Sequence, residues 1–172
     1  MDRHLILVGL PGCGKSTVGP ILAGELHLPF VDIDSVIVRR MGMPVDRIIG
    51  ELGEARFREL EREATAEAMA SDASVIAPGG GWAAQHGNME SARARSLSFY
   101  LQVSAPIALA RVGQGAVRPL LAGGEGLARM TALLFEREPH YRQADVTVGN
   151  DTDDPAVAAA EIVAWLRRGG FA

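Results

Sequence analysis

Apolar residues form two patterns along the chain, short continuous runs and helical repeats, and these alternate from one end to the other. Continuous runs such as Leu5–Val8 are typical of parallel strands buried on both faces. After Lys15, apolar residues recur three and four positions apart as far as Leu26, which is the spacing of one helix face. This alternation predicts an α/β fold with a parallel sheet that is covered by helices on both faces.

The pattern predicts five strands, at Leu5–Val8, Leu28–Asp32, Ser74–Ala77, Ser98–Val103 and Val146–Val148. It predicts helices at Lys15–Leu26, Val36–Met41, Val45–Leu52, Glu54–Met69, Pro106–Arg111, Leu127–Glu136 and Pro155–Arg168. Between them, the glycine-rich segment Gly113–Gly126 surrounds Arg118 and is interpreted as a mobile lid, with a disordered loop as the alternative. We see no linker, so residues 1–172 are expected to form a single domain.

Composition narrows the class of protein. The chain has 172 residues, of which 48% are hydrophobic and 22% charged, values typical of one globular domain. Its net charge of -4 argues against nucleic acid as the main partner. No apolar stretch approaches the roughly 20 residues that cross a bilayer, and a single cysteine excludes an internal disulfide. We therefore expect a cytoplasmic protein, a monomer, without a membrane or nucleic-acid partner.

The segment Gly9–Thr17 fits the phosphate-binding pattern G-x-x-x-x-G-K-[ST] and lies between a predicted strand and a predicted helix. Backbone N–H groups of such a loop converge on the phosphates of a nucleotide, while Lys15 adds a positive charge and Ser16 offers a hydroxyl to Mg²⁺. Lys15 is the only lysine among 17 lysines and arginines. The alternative is a glycine-rich turn that matches by chance. The predicted nucleotide-binding residues are Gly12, Cys13, Gly14, Lys15, Ser16 and Thr17.

Two carboxylates follow the second predicted strand. Asp32 and Asp34 are two positions apart, so their side chains point to the same side if the strand geometry continues that far. Phosphoryl transfer uses one carboxylate near Mg²⁺ and another near the attacking hydroxyl. The alternative interpretation is that one of them caps the next helix.

Other polar groups suggest an anionic acceptor. Arg58 and Glu61 share a face of a predicted helix, although spacing alone is equally typical of an exposed ion pair. Arg137 lies where we expect a helix to break, before Glu138–Tyr141. The glycine triplet Gly79–Gly81 follows a strand, so something approaches the backbone closely there. Arginines that can bind a carboxylate, beside glycine N–H groups and an acid, favour an anionic polyol as substrate.

Six motifs in this order resemble those of the shikimate kinase family over nearly the whole chain. They are the P-loop Gly9–Thr17, the pair Asp32 and Asp34, the segment Phe57–Glu61, the triplet Gly79–Gly81, the lid core Arg118–Leu121 and the segment Arg137–Tyr141. The resemblance implies the three-layer α/β fold of P-loop NTPases, similar to nucleoside monophosphate kinases, with a five-stranded parallel sheet and a mobile lid. It also implies transfer of the γ-phosphoryl group of ATP to the 3-hydroxyl of shikimate in chorismate and aromatic amino acid biosynthesis.

The resemblance also implies roles for single residues. Asp34 would take the acceptor hydroxyl, and Arg58 and Arg137 would hold the carboxylate of shikimate, with Glu61 orienting Arg58. The backbone of the triplet Gly79, Gly80 and Gly81 would contribute to the same site.

On the nucleotide side, Arg118 would neutralise charge on the transferring phosphoryl group together with Lys15, and Arg111 would lie against adenine. The adenine loop would correspond to Val148–Pro155. Ser16 and Asp32 would hold Mg²⁺. The implied catalytic set is Lys15, Asp34 and Arg118, and the implied cofactors are ATP and Mg²⁺.

Three positions depart from the family pattern: Trp82 stands where a small residue is usual, Pro78 removes a backbone donor before the triplet, and Gly149 replaces a common acidic residue. Trp82 bears on which acceptor is used. Two rival interpretations are a gluconate-type sugar-acid kinase and a kinase-like module that binds ATP or an aromatic-pathway ligand in order to regulate another process.

Overall fold

The computed structural model describes residues 2–113 and 125–171. In these residues five strands form one sheet in the order β2-β3-β1-β4-β5, and every neighbouring pair is parallel. The strands are β1 (His4–Val8), β2 (Phe30–Asp32), β3 (Val75–Ala77), β4 (Ser96–Gln102) and β5 (Val146–Gly149). The helices are α1 (Lys15–Leu26), α2 (Ile33–Met41), α3 (Val45–Leu52), α4 (Glu54–Ala70), α5 (Asn88–Ala92), α6 (Ala105–Gly113), α7 (Gly126–Tyr141) and α8 (Pro155–Arg168).

Strand β1 is the centre of the sheet. It pairs with β3 on one side and with β4 on the other, in a register that places Leu5 opposite both Val75 and Leu97. All five of its residues are buried. An uninterrupted apolar run is what a central parallel strand requires, because helices cover both of its faces.

The helices pack against one another in groups on the two faces of the sheet. Helix α1 contacts α8, α6 contacts α7, and α4 contacts both α2 and α3. At the start of α8, Asp154 Oδ1 accepts a hydrogen bond of 2.9 Å from the backbone N–H of Ala156, and Pro155 occupies the first turn. This start is predicted by the sequence, since proline needs no hydrogen-bond acceptor there.

Two expected boundaries are wrong, and each has a physical reason. Helix α2 begins at Ile33 rather than Val36, because Asp32 Oδ1 accepts the backbone N–H of Ser35 at 2.9 Å and so caps the helix. Helix α7 does not break before Glu138 but continues through Pro139 to Tyr141. Proline removes one helical hydrogen bond, but Pro139 lies on the exposed side of α7, whereas continuing the helix buries Tyr141.

The stretch after the glycine triplet contains elements that the sequence does not predict. Trp82–Ala84 forms a short 3₁₀-helix, and α5 follows before β4. The Trp82 ring is buried, and its backbone carbonyl accepts a hydrogen bond of 2.9 Å from Asn88 Nδ2.

Most of the predicted lid, including Arg118, lies in residues 114–124, outside the described residues. Within the described ranges, no helix is both long and apolar enough to cross a bilayer.

Candidate active site

The site is built at the carboxyl ends of the strands, which all meet at one edge because the sheet is parallel. The P-loop follows β1. Asp32 and Asp34 follow β2, and the triplet Gly79–Gly81 follows β3. On the other side of β1, α6 follows β4 and the loop Asn150–Asp154 follows β5.

The P-loop has a backbone shape that needs glycine, as Gly12 and Gly14 illustrate. Gly12 and Gly14 have φ angles of 81° and 99°. A Cβ at Gly12 would lie 2.3 Å from the carbonyl oxygen of Ala108 in α6, and a Cβ at Gly14 would lie 2.6 Å from Asn150 Nδ2. The glycines therefore let the loop wrap between α6 and the end of β5.

Lys15 begins α1 and folds back over the loop. Its Nζ donates hydrogen bonds to the carbonyls of Gly9 at 3.0 Å and Leu10 at 3.1 Å, and to Cys13 Sγ at 3.5 Å. The Cys13 side chain is fully buried. The loop thus holds the ammonium group, while Cys13 contributes its backbone and fills space.

Asp32 connects β2 to the P-loop. Ser16 Oγ donates a hydrogen bond of 2.6 Å to Asp32 Oδ2, while Oδ1 of the same carboxylate caps α2. The described residues contain no group of three His, Cys, Asp or Glu side chains that could hold a metal ion. A hydroxyl and one carboxylate nevertheless fit Mg²⁺ bound to nucleotide, since this ion takes one or two protein oxygens and completes its shell with water and phosphate.

Asp34 lies on a helix and not on a continuing strand, so the strand geometry that would place both side chains on one side is absent. The strand ends at Asp32, and Asp34 lies in the first turn of α2. A Cβ at Gly79 would lie 3.0 Å from Asp34 Oδ1 and 2.4 Å from Glu61 Oε1. One carboxylate therefore faces the P-loop and the other faces the glycine triplet.

Glu61 is a buried acid on α4, with a fully buried side chain. Burial raises the pKa of its carboxyl and the nearby charge of Asp34 adds to the rise, whereas Arg58 and the backbone of Gly79 oppose it. This acid is held beside the triplet because an ion pair with Arg58 compensates for its burial.

Arg58 lies between two acids of its own helix. Its Nη1 donates to Glu61 Oε2 at 3.0 Å and its Nη2 to Glu54 Oε1 at 2.9 Å. A Cβ at Gly81 would lie 2.7 Å from both of these nitrogens. The buried Arg58 Nε has no hydrogen-bond partner among the described residues. The sequence predicts the pairing with Glu61 but not the second pairing with Glu54.

Arg137 and Tyr141 share a face of α7. The buried hydroxyl of Tyr141 donates a hydrogen bond to the carbonyl of Gly80. Burial raises the pKa of Tyr141, and the charge and hydrogen bond of Arg137 oppose that rise. The structure thus brings Arg137 to the triplet through a tyrosine to which the sequence analysis assigned no role.

The nucleotide side contains Arg111 and Asn150. Arg111 donates hydrogen bonds to the carbonyls of Asn150 and Thr152. Asn150 is buried, and its Nδ2 donates to the carbonyl of Cys13 at 2.7 Å. Sequence reasoning missed Asn150, and the only available signal was a polar amide directly after a strand end.

One cavity of about 390 Å³ joins these parts. Its walls include Lys15, Ser16, Asp32, Asp34, Gly79 and Gly80 on one side and Arg111 with Thr152 and Asp153 on the other. Gly12, Gly14 and Thr17 of the P-loop also line it. Cys13, Arg58, Gly81, Trp82 and Arg137 are absent from its lining. The buried Trp82 therefore does not narrow this cavity.

A P-loop after the central strand of a parallel sheet, with two carboxylates at the end of β2 and the start of α2, defines the class of P-loop kinases. A family model described as shikimate kinase matches residues 11–167. The chain belongs to the shikimate kinase family, so the predicted fold, family and kinase function are confirmed.

The relatives are similar over nearly their whole length. The shikimate kinase of Moorella thermoacetica is 39% identical over 170 residues, which are 96% of this chain and 98% of that one. The shikimate kinase of Pseudomonas paraeruginosa is 41% identical over 166 residues and 96% of each chain.

Solved structures agree with these relatives. The structure of shikimate kinase from Acinetobacter baumannii in complex with shikimate has a TM-score of 0.92 at 32% identity and covers 97% of this chain and 94% of that chain. A gluconokinase from Sinorhizobium meliloti reaches a TM-score of 0.65 at 20% identity, with 97% of this chain and 93% of that chain covered, a likeness of fold alone.

Proposed function

We propose that the chain transfers the γ-phosphoryl group of ATP to the 3-hydroxyl of shikimate, which gives shikimate 3-phosphate and ADP. The observation that carries the proposal is a cavity whose walls include the P-loop, Asp34, Gly79 and Gly80. Membership in the shikimate kinase family supports the same reaction.

The P-loop would bind the phosphates. Its backbone N–H groups lie at the start of α1, where the helix dipole favours negative charge. Lys15 would exchange its contacts with the carbonyls of Gly9 and Leu10 for phosphate oxygens. Arg118 would add positive charge at the transferring group, a role that remains a prediction.

Ser16 and Asp32 are the residues that would hold Mg²⁺, since their oxygens adjoin the P-loop. When bound with the nucleotide, Mg²⁺ neutralises phosphate charge. Arg111 would lie against the base, because its guanidinium borders the cavity while it is fixed to the loop after β5.

Asp34 would orient the 3-hydroxyl and take its proton as the new oxygen–phosphorus bond forms and ADP leaves. Arg58 and Arg137 would bind the carboxylate of shikimate, and Gly79, Gly80 and Gly81 would supply backbone contacts at the same side of the site. Catalysis would rest mainly on positioning and charge neutralisation, since phosphoryl transfer needs little covalent chemistry from the protein.

Initial rates of ADP release from MgATP, with no acceptor, with shikimate and with gluconate, test this function. We expect release that depends on shikimate and saturates with it, and none that depends on gluconate. Binding of shikimate or ATP without product would instead favour the regulatory module.

Two variants test the roles of the cavity residues. Lys15→Ala and Asp34→Asn should each lower turnover about 100-fold or more while the midpoint of thermal unfolding stays near that of the wild type. Asp46→Asn is the matched control, because Asp46 is an exposed acid in the first turn of the neighbouring helix α3. Near-normal turnover in Lys15→Ala or Asp34→Asn would show that the roles are assigned wrongly.

We also propose a cytoplasmic location and a monomeric state. Light scattering of the purified protein at several concentrations tests the monomeric state, for which the expected mass is 18.2 kDa.

A further inference from the structure

The three carbonyl groups of the glycine triplet are held in different ways. The carbonyl of Gly79 accepts the backbone N–H of Trp82 at 3.0 Å, and that of Gly81 accepts the N–H of Ala84 at 3.2 Å. Both bonds are local turns. The carbonyl of Gly80 is instead bound by the side chain of Tyr141, which is 61 residues away in sequence. The middle peptide of the triplet thus depends on α7 for its orientation.

Tyr141 can serve two partners at once. A phenolic hydroxyl has one hydrogen to donate and lone pairs that accept. The hydrogen is directed to Gly80, so the oxygen is available to accept from the guanidinium of Arg137, which is one helical turn away on the same face of α7. The result is a chain of donors that runs from Arg137 through Tyr141 to Gly80.

Gly80 also lies close to the P-loop. A Cβ on Gly80 would lie 2.7 Å from Pro11 Cδ, so the triplet already touches the P-loop at this position. Because a peptide unit is planar, fixing the carbonyl of Gly80 also fixes the direction of the N–H of Gly81. A Cβ on Gly81 would in turn meet the guanidinium of Arg58.

We propose that Tyr141 is a positioning residue for the acceptor, which sets the Gly80–Gly81 peptide and Arg137 in the geometry that binds the acceptor's carboxylate. The proposal rests on the proposed function, in which Arg58, Arg137 and the triplet bind shikimate. Tyr141 itself is buried and acts through these groups.

The neighbouring ring of Tyr100 offers a matched control. The two tyrosine rings lie 5.3 Å apart, both are buried, and Tyr100 belongs to β4. Replacing either residue by Phe removes one buried hydroxyl. Only the change at Tyr141 removes the donor to Gly80 and the acceptor for Arg137.

The experiment compares wild type, Tyr141→Phe and Tyr100→Phe in steady-state kinetics with shikimate and MgATP. We expect the KM for shikimate to rise about tenfold in Tyr141→Phe, from the loss of a buried hydrogen bond to a charged partner. The KM for ATP should change less than about twofold, and Tyr100→Phe should keep both values. Thermal unfolding midpoints are measured for all three proteins, and the assay temperature is set well below the lowest.

The outcomes separate the two proposals. Two outcomes would overturn the positioning role and leave the proposed function intact. One is an equal KM for shikimate in Tyr141→Phe and Tyr100→Phe. The other is an equal rise of the KM for shikimate and of the KM for ATP in Tyr141→Phe. A wild-type protein that does not phosphorylate shikimate would overturn both. Unfolding of Tyr141→Phe at a temperature where Tyr100→Phe and wild type remain folded would make the role of the hydroxyl structural, which also contradicts the inference.

Discussion

The hydroxyl of Ser16 and the carboxylate of Asp32 lie 2.6 Å apart, although they belong to different βα connections. The other oxygen of Asp32 caps α2 through the N–H of Ser35. The carboxylate of Asp32 therefore caps a helix and also contacts the P-loop. A single substitution can remove its charge and keep the helix cap.

Asp32→Asn keeps a side-chain oxygen for the helix cap, because Asn caps helices as well as Asp does, but it removes the charge beside Ser16. We expect the midpoint of thermal unfolding to stay close to that of the wild type, while the Mg²⁺ concentration needed for half-maximal activity rises about tenfold or more. A titration of activity with Mg²⁺ at constant ATP measures this. An unchanged Mg²⁺ requirement would exclude Asp32 from the metal site.

Glu54 binds the guanidinium of Arg58, which is proposed to hold the acceptor's carboxylate, so we expect the two to compete. Its side chain is 66% exposed and binds Nη2, whereas the partner of Nη1, Glu61, is fully buried. Since exposed ion pairs are weak, Glu54→Gln should lower the KM for shikimate by about two- to fivefold and leave kcat unchanged. Glu59→Gln, which alters an exposed pair with Arg56 on the same helix, is the control. A raised KM in Glu54→Gln would mean that Glu54 instead prepares Arg58 for binding.

Gly80→Ala tests the contact between the triplet and the P-loop. The added Cβ would lie 2.9 Å from the backbone nitrogen of Pro11, so the two loops must separate. We expect kcat/KM for shikimate to fall by about 100-fold, because misplacement by an ångström has effects of that size. Gly24→Ala is the control, since a Cβ at Gly24 would meet no atom within 4 Å. This substitution should stabilise α1, because alanine has a higher helix propensity than glycine. Wild-type kinetics in Gly80→Ala would show that the close approach is not needed.

The buried His4 makes the free energy of unfolding depend on pH. Burial lowers the pKa of its imidazole below the ordinary value of 6.5, with a smaller contribution from the charge of Arg95. Well above pH 6.5 the ring is neutral in both states. As the pH falls below 6.5, the unfolded chain binds a proton that the folded protein resists, so the free energy of unfolding decreases.

Denaturant unfolding at pH 7.5 and pH 5.5 of wild type and His4→Gln measures this effect. The loss of stability between the two conditions should be smaller in His4→Gln, because Gln does not titrate. His86, which is exposed, provides the control, and His86→Gln should lose as much stability as the wild type. Equal losses in wild type and His4→Gln would show that other groups cause the acid sensitivity.

The sequence predicts the fold where local pattern and tertiary environment agree. A strand such as β1 is apolar throughout because it is buried on both faces, and the P-loop carries its own glycines, so both can be identified from neighbouring residues alone. The sequence predicts that β2 ends at Asp32, but not that α2 begins at the next residue, because the cap from Asp32 to Ser35 starts the helix earlier than expected. Asp34 therefore lies on a helix, and the expectation based on strand alternation does not apply to it.

Contacts between distant segments are what the sequence does not reveal. Asn150 binds the carbonyl of Cys13 across 137 positions, and Tyr141 reaches Gly80 only because α7 continues through Pro139. Helix propensity argues against that continuation, and the burial of Tyr141 overrides it. Both residues are polar, buried and surrounded by ordinary helix or loop sequence, so local sequence does not reveal their distant partners.

The central place of β1 has a consequence for how this enzyme can diversify. Strands β2 and β3, followed by Asp34 and the glycine triplet, lie on one side of it, and β4 and β5, followed by α6 with Arg111 and by the loop Asn150–Asp154, lie on the other. We expect substitutions around Asp34 and the glycine triplet to alter the choice of acceptor without changing Arg111 or the loop after β5. Pro11 of the P-loop and Gly80 of the triplet lie in close contact, so substitutions on either side of β1 must preserve the packing between these two loops.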